Sequence, residues 1–247
     1  CCWGVYCGVY DNVARFDCYH TSDQTELSVL HRNLSYDIFE DVTLRSGAGQ
    51  ATVNNVKWGC GFVDFDNDGY RDLFVAMGHL QDLIDHYDPT TSYRTWNVLL
   101  RNLGEGRFAE VSRQGGLRQT AAHSARGAVF DDLDNDGDID AVVLNSRERP
   151  TVLRNRLQES ESQNHWLQIR LLGTATNRDG VGARVTVRAG DLTLVDEVHA
   201  GRGYQSHFGS RLHFGLGPRD RVEQVEIRWI GGGVDVFSEV PVDQLVT

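Results

Sequence analysis

A nine-residue acidic pattern occurs twice in this chain and constrains it more than any other feature. The copies are Asp64-Phe65-Asp66-Asn67-Asp68-Gly69-Tyr70-Arg71-Asp72 and Asp132-Leu133-Asp134-Asn135-Asp136-Gly137-Asp138-Ile139-Asp140. Each sets carboxylates at loop positions 1, 3, 5 and 9 and a glycine at position 6. Alternate carboxylates, a backbone carbonyl at position 7 and water can supply the roughly six to eight oxygens that calcium takes. Glycine permits the sharp turn that a Cβ would oppose. The expected ligands are Asp64, Asp66, Asp68, the Tyr70 carbonyl and Asp72, then Asp132, Asp134, Asp136, the Asp138 carbonyl and Asp140. Asp, Asn and Gly are also ordinary turn residues, but near-identical duplication of the whole loop favours two calcium sites.

The residues after each loop exclude the familiar helical settings. An EF-hand places a bidentate Glu at position 12 between two helices. Position 12 here is Val75 or Val143, inside Leu73-Phe74-Val75-Ala76 and Ala141-Val142-Val143-Leu144. Such β-branched apolar runs bounded by turn residues read as buried strands. A dockerin-type loop fails on the same position. What remains is a calcium loop within a β-hairpin, with Asp72 and Asp140 as last ligands.

Around the loops the chain repeats itself. Trp58-Gly59 stands eight and seven residues before Asp66, Arg126-Gly127 keeps those offsets from Asp134, and Trp3-Gly4 keeps them from Asp11. Downstream recur Val29-Leu30-His31-Arg32-Asn33, Val98-Leu99-Leu100-Arg101-Asn102 and Thr151-Val152-Leu153-Arg154-Asn155. The unit is about 55 residues, the period of a four-stranded propeller blade, and the middle copy is longer by an insertion near residues 78–95. In the first copy, Val9-Tyr10-Asp11-Asn12-Val13-Ala14-Arg15-Phe16-Asp17, only Asp11 and Asp17 survive, so that loop is expected to hold no metal. The turns Leu34-Ser35-Tyr36-Asp37 and Leu103-Gly104-Glu105-Gly106 each lead into a further strand, whereas the third copy runs into the polar residues 157–163. In the insertion, His79, Asp82, Asp85 and His86 are candidates to face a ligand on a short helix or ordered loop; a solvated surface excursion is the preferred reading.

From Asn164 the texture becomes short alternating strands separated by Asn177-Arg178-Asp179-Gly180-Val181-Gly182, Gly190-Asp191, Gly201-Arg202-Gly203-Tyr204 and Gly231-Gly232-Gly233. A small β-sandwich or barrel-like domain of about 80 residues follows from this pattern. Asn177 to Gly180 reads as a self-capped turn, and Trp166 and Trp229 read as core aromatics. The expected organisation is all-β: residues 1–157 as about three blades of a partial β-propeller, 158–163 as linker and 164–247 as the second domain.

Composition narrows the partners. The net charge is −11, or −7 with two calcium ions, and nearly every cation is arginine, which disfavours nucleic acid and anionic membranes. No apolar run approaches the roughly 18–20 residues of a membrane helix. Cys1, Cys2, Cys7 and Cys18 precede Cys60, an odd number without CxxC or zinc spacing, so free thiols or one disulfide are expected. The start at Cys1-Cys2-Trp3, without an initiator Met, leads us to expect a fragment or processed product. His123-Ser124 has no acid placed beside it and no Gly-x-Ser-x-Gly context, and no glycine-rich phosphate loop precedes a helix.

Trp58-Gly59, the two aspartate loops and the Arg-Asn markers resemble FG-GAP (integrin-type, VCBS-like) repeats. Asn164-His165-Trp166-Leu167, Asn177 to Ala183, Leu212-His213-Phe214-Gly215-Leu216-Gly217 and Val225-Glu226-Ile227-Arg228-Trp229 resemble the ASPIC/UnbV domain. Blades followed by ASPIC/UnbV is the order of the cartilage acidic protein (CRTAC-like) family. The resemblance implies an extracellular, cell-surface or periplasmic calcium-binding module that meets a protein or glycan ligand, with no catalytic activity and with further blades upstream. The alternative is a part, catalytic or accessory, of a secreted enzyme acting on glycans or phosphoesters.

Overall fold

The computed structural model describes residues 2–35, 38–160 and 162–247, so Cys1, the turn residues Tyr36 and Asp37, and Glu161 of the expected linker lie outside the described residues. Among the described residues the turn-bounded β-branched runs form eighteen strands in five sheets. The first sheet is a meander of β1 (Cys2–Gly8), β2 (Asp17–Ser22), β3 (Val29–Ser35) and β4 (Ile38–Asp41). The second repeats it with β5 (Lys57–Val63), β6 (Asp72–Met77), β7 (Val98–Asn102) and β8 (Phe108–Glu110). The third has three strands, β9 (Ala125–Asp131), β10 (Asp140–Asn145) and β11 (Thr151–Leu153). Each acidic loop joins the first strand of its meander to the second.

Two further sheets follow. One orders β15 (Arg211–Gly217), β12 (His165–Arg170) and β18 (Gln244–Val246), with β18 parallel to β12. The other orders β14 (Leu192–Glu197), β13 (Arg184–Ala189), β16 (Val222–Arg228) and β17 (Val234–Val240). They share one core, with Leu167, Ile169, Leu212 and Phe214 meeting Val185, Val187, Leu194 and Ile227. The all-β class expected from the sequence holds. In detail, the expectation of about three blades and a small sandwich becomes five sheets.

Strand β6 explains how neighbouring meanders adhere. Its residues are buried throughout, and successive side chains point to opposite faces of a strand. Leu73, Val75 and Met77 enter a core with Tyr6, Tyr10, Tyr19 and Phe62. Phe74 and Ala76 enter another with Phe130, Ala141 and Val143. A strand packed on both sides needs the continuous apolar run seen in the sequence, and each large side chain so buried contributes roughly 1.5–3 kcal/mol.

The Trp-Gly and Arg-Gly markers lie on the innermost strands β1, β5 and β9, where the glycine allows the next element to approach. A methyl at Gly4 would stand 2.4 Å from the Trp58 carbonyl oxygen, and one at Gly59 2.7 Å from the Ala128 nitrogen. The same position in β9, Gly127, faces residues of the loop that precedes β15: its methyl would stand 2.8 Å from Ser206 Oγ. That loop also bridges Gly203 to Val5 of β1. It packs against the meanders near Trp58, whose ring meets Trp3 in a tilted contact at 4.7 Å and lies under Arg126 at 4.3 Å.

Candidate metal centre

The acidic loops share one backbone plan. Position 4 is left-handed in all three copies, at Asn12, Asn67 and Asn135 (φ 57°, 55° and 58°), a conformation that asparagine tolerates. Position 6 is also left-handed, with φ 93° at Gly69 and 92° at Gly137. The position-1 carboxylate organises the turn. Asp64 Oδ1 accepts the Asp68 amide at 3.1 Å and Oδ2 the Gly69 amide at 2.8 Å; Asp132 does the same with Asp136 and Gly137 at 3.1 and 3.0 Å. The position-5 carboxylates accept the amides of Tyr70 and Asp138 at 2.8 and 3.0 Å.

This folding brings together Asp64, Asp66 and Asp68 in one loop, and Asp132, Asp134 and Asp136 in the next, each set with carboxylate oxygens within 4.8 Å of one another. Asp72 and Asp140 do not join those close groups. Asp72 Oδ1 accepts the Asn102 amide at 2.8 Å and Oδ2 the Phe65 amide at 3.4 Å; Asp140 accepts those of Asn155 and Leu133 at 2.8 and 3.2 Å.

The electrostatics of the first set favour a cation. Asp66 Oδ1 is buried and has no hydrogen-bond partner. Burial raises Asp64 well above the usual carboxylate range, and the charges of Asp68, Asp72 and Asp66 add to the rise. Burial and the Asp66 charge push Asp68 up to about 6 and hold Asp72 well above its ordinary value. Burial also raises Asp138 and Asp140. Mutually repelling, desolvated carboxylates beside an orphaned oxygen fit a bound cation, which would reverse each of these penalties.

The Arg-Asn markers have a physical role that their recurrence alone did not disclose. Arg101 Nη2 lies 2.8 Å from Asp66 Oδ2 and 3.6 Å from Asp68 Oδ2. Arg154 repeats this with Asp134 and Asp136 at 2.8 and 3.3 Å, and Arg32 meets Asp11 at 2.8 Å. Two of the three marker asparagines tie two loops together, whereas Asn33 bonds only to Asp17 and Phe16 of its own loop. Asn102 gives its amide to Asp72 and its Nδ2 to the Tyr10 carbonyl (2.8 Å) of the preceding loop; Asn155 gives its amide to Asp140 and its Nδ2 to the Phe65 carbonyl (2.7 Å). The position-4 asparagines link forward: Asn12 Nδ2 donates to the Gly69 carbonyl and Asn67 Nδ2 to the Gly137 carbonyl. The recurrence of Arg-Asn after each loop, and of asparagine at loop position 4, was the signal available for these roles.

The last two sheets sit directly on the loops, which the sequence did not indicate. His213 Nε2 lies 2.7 Å from Asn67 Oδ1, and the Gly217 amide donates to the Asn67 carbonyl. Asn164 Nδ2 donates to the Asp66 carbonyl at 2.8 Å, and Gln168 Nε2 to Asp132 Oδ2 at 2.8 Å. Arg211 donates to Asn135 Oδ1 and to the Asp132 carbonyl. Trp166 is buried, but against Gly137 and not in the core of its own sheets: a methyl on Gly137 would stand 2.0 Å from its ring. Trp229 packs against that core as expected.

The first loop keeps the shape with a different chemistry. Asp11 Oδ1 accepts the Val13 amide, its Oδ2 pairs with Arg32, and Asp17 Oδ1 accepts the Asn33 amide. Burial pushes Asp17 up to about 7. In the insertion, His79 is buried between Gln24 Oε1 and the Gln81 amide, Asp82 pairs with Arg147 and Asp85 accepts the Tyr93 amide, so these side chains turn to separate partners. His123 pairs with Glu148, and Ser124 Oγ donates to the His79 carbonyl. Asn177 closes its turn on both polar groups of Val181. Cys7 and Cys18, directly opposite on β1 and β2, form a disulfide; Cys2 and Cys60 are free, and Cys1 lies outside the described residues. Among the described residues, no helix is long and apolar enough to cross a membrane.

Two family models match the chain: FG-GAP-like repeat over residues 64–143, and ASPIC and UnbV over residues 173–247. No curated protein matches it. The chain therefore carries an FG-GAP-like repeat followed by an ASPIC/UnbV domain, the order found in CRTAC-like proteins.

Proposed function

We propose that this chain, carrying an FG-GAP-like repeat ahead of an ASPIC/UnbV domain, is a calcium-binding, non-catalytic module that engages a protein or glycan ligand outside the cytoplasm. The observation that carries the reading is the duplicated carboxylate triad, with a buried and unpartnered Asp66 Oδ1 in one copy. An all-oxygen set of this kind suits a hard cation, and calcium accepts the irregular geometry of a short loop. On this reading Asp64, Asp66, Asp68 and the Tyr70 carbonyl hold one ion, with Asp72 as last ligand. Asp132, Asp134, Asp136, the Asp138 carbonyl and Asp140 hold the second. The loop from Val9 to Asp17 holds none, because positions 1 and 5 are valine and only Asp11 and Asp17 remain of the acidic set.

The three meanders are read as propeller blades within residues 1–157, joined by 158–163 to the ASPIC/UnbV sandwich of 164–247. An extracellular, cell-surface or periplasmic setting is supported by the Cys7–Cys18 disulfide. It also suits the calcium affinity of about 10⁻⁴–10⁻³ M typical of extracellular modules. Calorimetric titration is expected to count two calcium sites, and millimolar calcium to raise the unfolding temperature. Neither heat nor thermal shift at millimolar calcium would refute the proposal.

A further inference from the structure

We propose that a cavity at the centre of the molecule binds a small monovalent anion of the halide class between the guanidinium groups of Arg71 and Arg202. The cavity has a volume of about 40 Å³, with apolar walls from Tyr6, Phe62, Phe130 and Phe208. That is room for an ion of chloride size together with a water or two, roughly, and no more.

Both arginines enter it with unused donors. Arg71 Nη2 pairs with Asp196 Oδ2 at 3.0 Å, while Nη1 is buried without a partner. Arg202, from the turn between Gly201 and Gly203, lies over the Phe208 ring at 4.7 Å and gives Nη1 to the Tyr6 hydroxyl at 3.3 Å. Its Nε and Nη2 are buried without partners. A methyl at Gly8 would touch both the Tyr6 ring edge (2.9 Å) and Arg71 Nη1 (3.6 Å), so the free Arg71 donor lies beside the tyrosine that Arg202 holds.

The carboxylates on the cavity wall are spoken for. Asp64 accepts its own loop's amides, Asp131 pairs with Arg211 and Asp196 with Arg71. Among the described residues no carboxylate lies within ion-pair distance of Arg202, which feels Asp196 and Asp131 only from farther off and keeps two N–H donors unmet. A desolvated cation with unmet N–H donors is unstable unless an acceptor is supplied, and an anion supplies both acceptor and charge. This inference rests on the cavity and its arginines and not on the calcium reading, so its test is run at fixed calcium.

Crystals grown in sodium bromide, with data collected at the bromine edge, are expected to show an anomalous peak within hydrogen-bond distance of Arg71 Nη1 and of Arg202 Nε or Nη2. In solution, chloride is exchanged for gluconate at constant ionic strength. The unfolding constant is expected to fall about tenfold for each tenfold rise in chloride above saturation, and Arg202→Gln to remove that dependence. Water alone in the cavity, bromide only at other places, or a chloride dependence unchanged in Arg202→Gln would each overturn the proposal. If Arg202→Gln fails to fold, the bromide map of the unaltered protein decides by itself.

Discussion

Replacing Asp66 by asparagine is expected to change the sign of its effect with calcium. Without a cation, Asp66 sits within 4.8 Å of the Asp64 and Asp68 carboxylates, and its charge helps to raise the pKa of Asp64, Asp68 and Asp72. Two unit charges at that distance repel by roughly 3 kcal/mol at an effective dielectric of about 20. Against this stands the ion pair with the half-exposed Arg101, worth roughly 0.2–1 kcal/mol at such a position. Asp66→Asn is therefore expected to stabilise the calcium-free protein by about 1 kcal/mol or more, once partial protonation of the crowded carboxylates is allowed for.

With calcium the balance reverses. For a dissociation constant of about 10⁻⁴–10⁻³ M, about 10 mM calcium stabilises the occupied fold by roughly 1.4–2.7 kcal/mol per site. The variant forgoes that gain at one loop and keeps it at Asp132, Asp134 and Asp136. The assay is urea unfolding of wild type and variant, in chelator and in calcium, with the two pairs of curves expected to cross in order. An equal loss of stability in both conditions would refute the reasoning, because Asp66 would then be only a hydrogen-bonding turn residue.

Three further outcomes follow from the same geometry. Burial, with Arg71 and Arg211 adding to it, lowers His213 to about 3. The unfolded chain takes up that proton near pH 6.5, so stability present above pH 6.5 is lost as pH falls toward 3. The loss at pH 5 is about 2 kcal/mol, to be read as the difference between wild type and His213→Gln in saturating calcium. Replacing both Cys7 and Cys18 by serine opens a short loop with sequence separation 11. It is expected to cost about 3 kcal/mol in chemical denaturation while the calorimetric calcium stoichiometry stays unchanged. Gly215→Ala drives a methyl to 2.1 Å from Asp64 Oδ2; overpacking of this kind costs roughly 1–3 kcal/mol. Calcium titration is expected to show weakened binding at the Asp64 loop with the second site intact.

Local patterns made the strands and loops legible in the sequence. The continuous run at Leu73 to Ala76 foretold a buried strand, and Asp-x-Asp-x-Asp-Gly foretold a tight turn, because strand burial and left-handed turns depend on neighbouring residues. The partners of Arg101 and Arg154 were less accessible. Their recurrence was visible, but a recurring position says nothing of what its side chain touches across a meander. Least legible was the seat of the last two sheets. Asn164, Trp166, His213 and Gly215 belong to stretches that resemble ASPIC/UnbV, and the structure places all four against the acidic loops. Contacts between residues 98 positions apart, as for Asn164 and Asp66, leave no periodicity for a reader of the chain.

The first loop separates what the backbone does from what a cation would do. Ala14 holds φ 60° at position 6, where Gly69 holds 93°, and Asn12 reaches the Gly69 carbonyl as Asn67 reaches that of Gly137. Left-handed alanine carries a conformational cost, yet the turn persists with valine at positions 1 and 5. Hydrogen bonds between successive loops and packing between meanders therefore suffice to set this shape. A cation at the other two loops would act on charge more than on shape, relieving the desolvated carboxylates on which β12 and β15 rest. Asp64 lies beneath Gly215, and Asp132 Oδ2 receives Gln168, so the charge state of each triad bears directly on that contact. Calcium bound there is expected to tighten the seating of the ASPIC/UnbV sheets on the FG-GAP repeat, seen as slower hydrogen exchange at the amides of β12 and β15. Unchanged exchange at those amides, with both sites filled, would separate the metal loops from the joint above them.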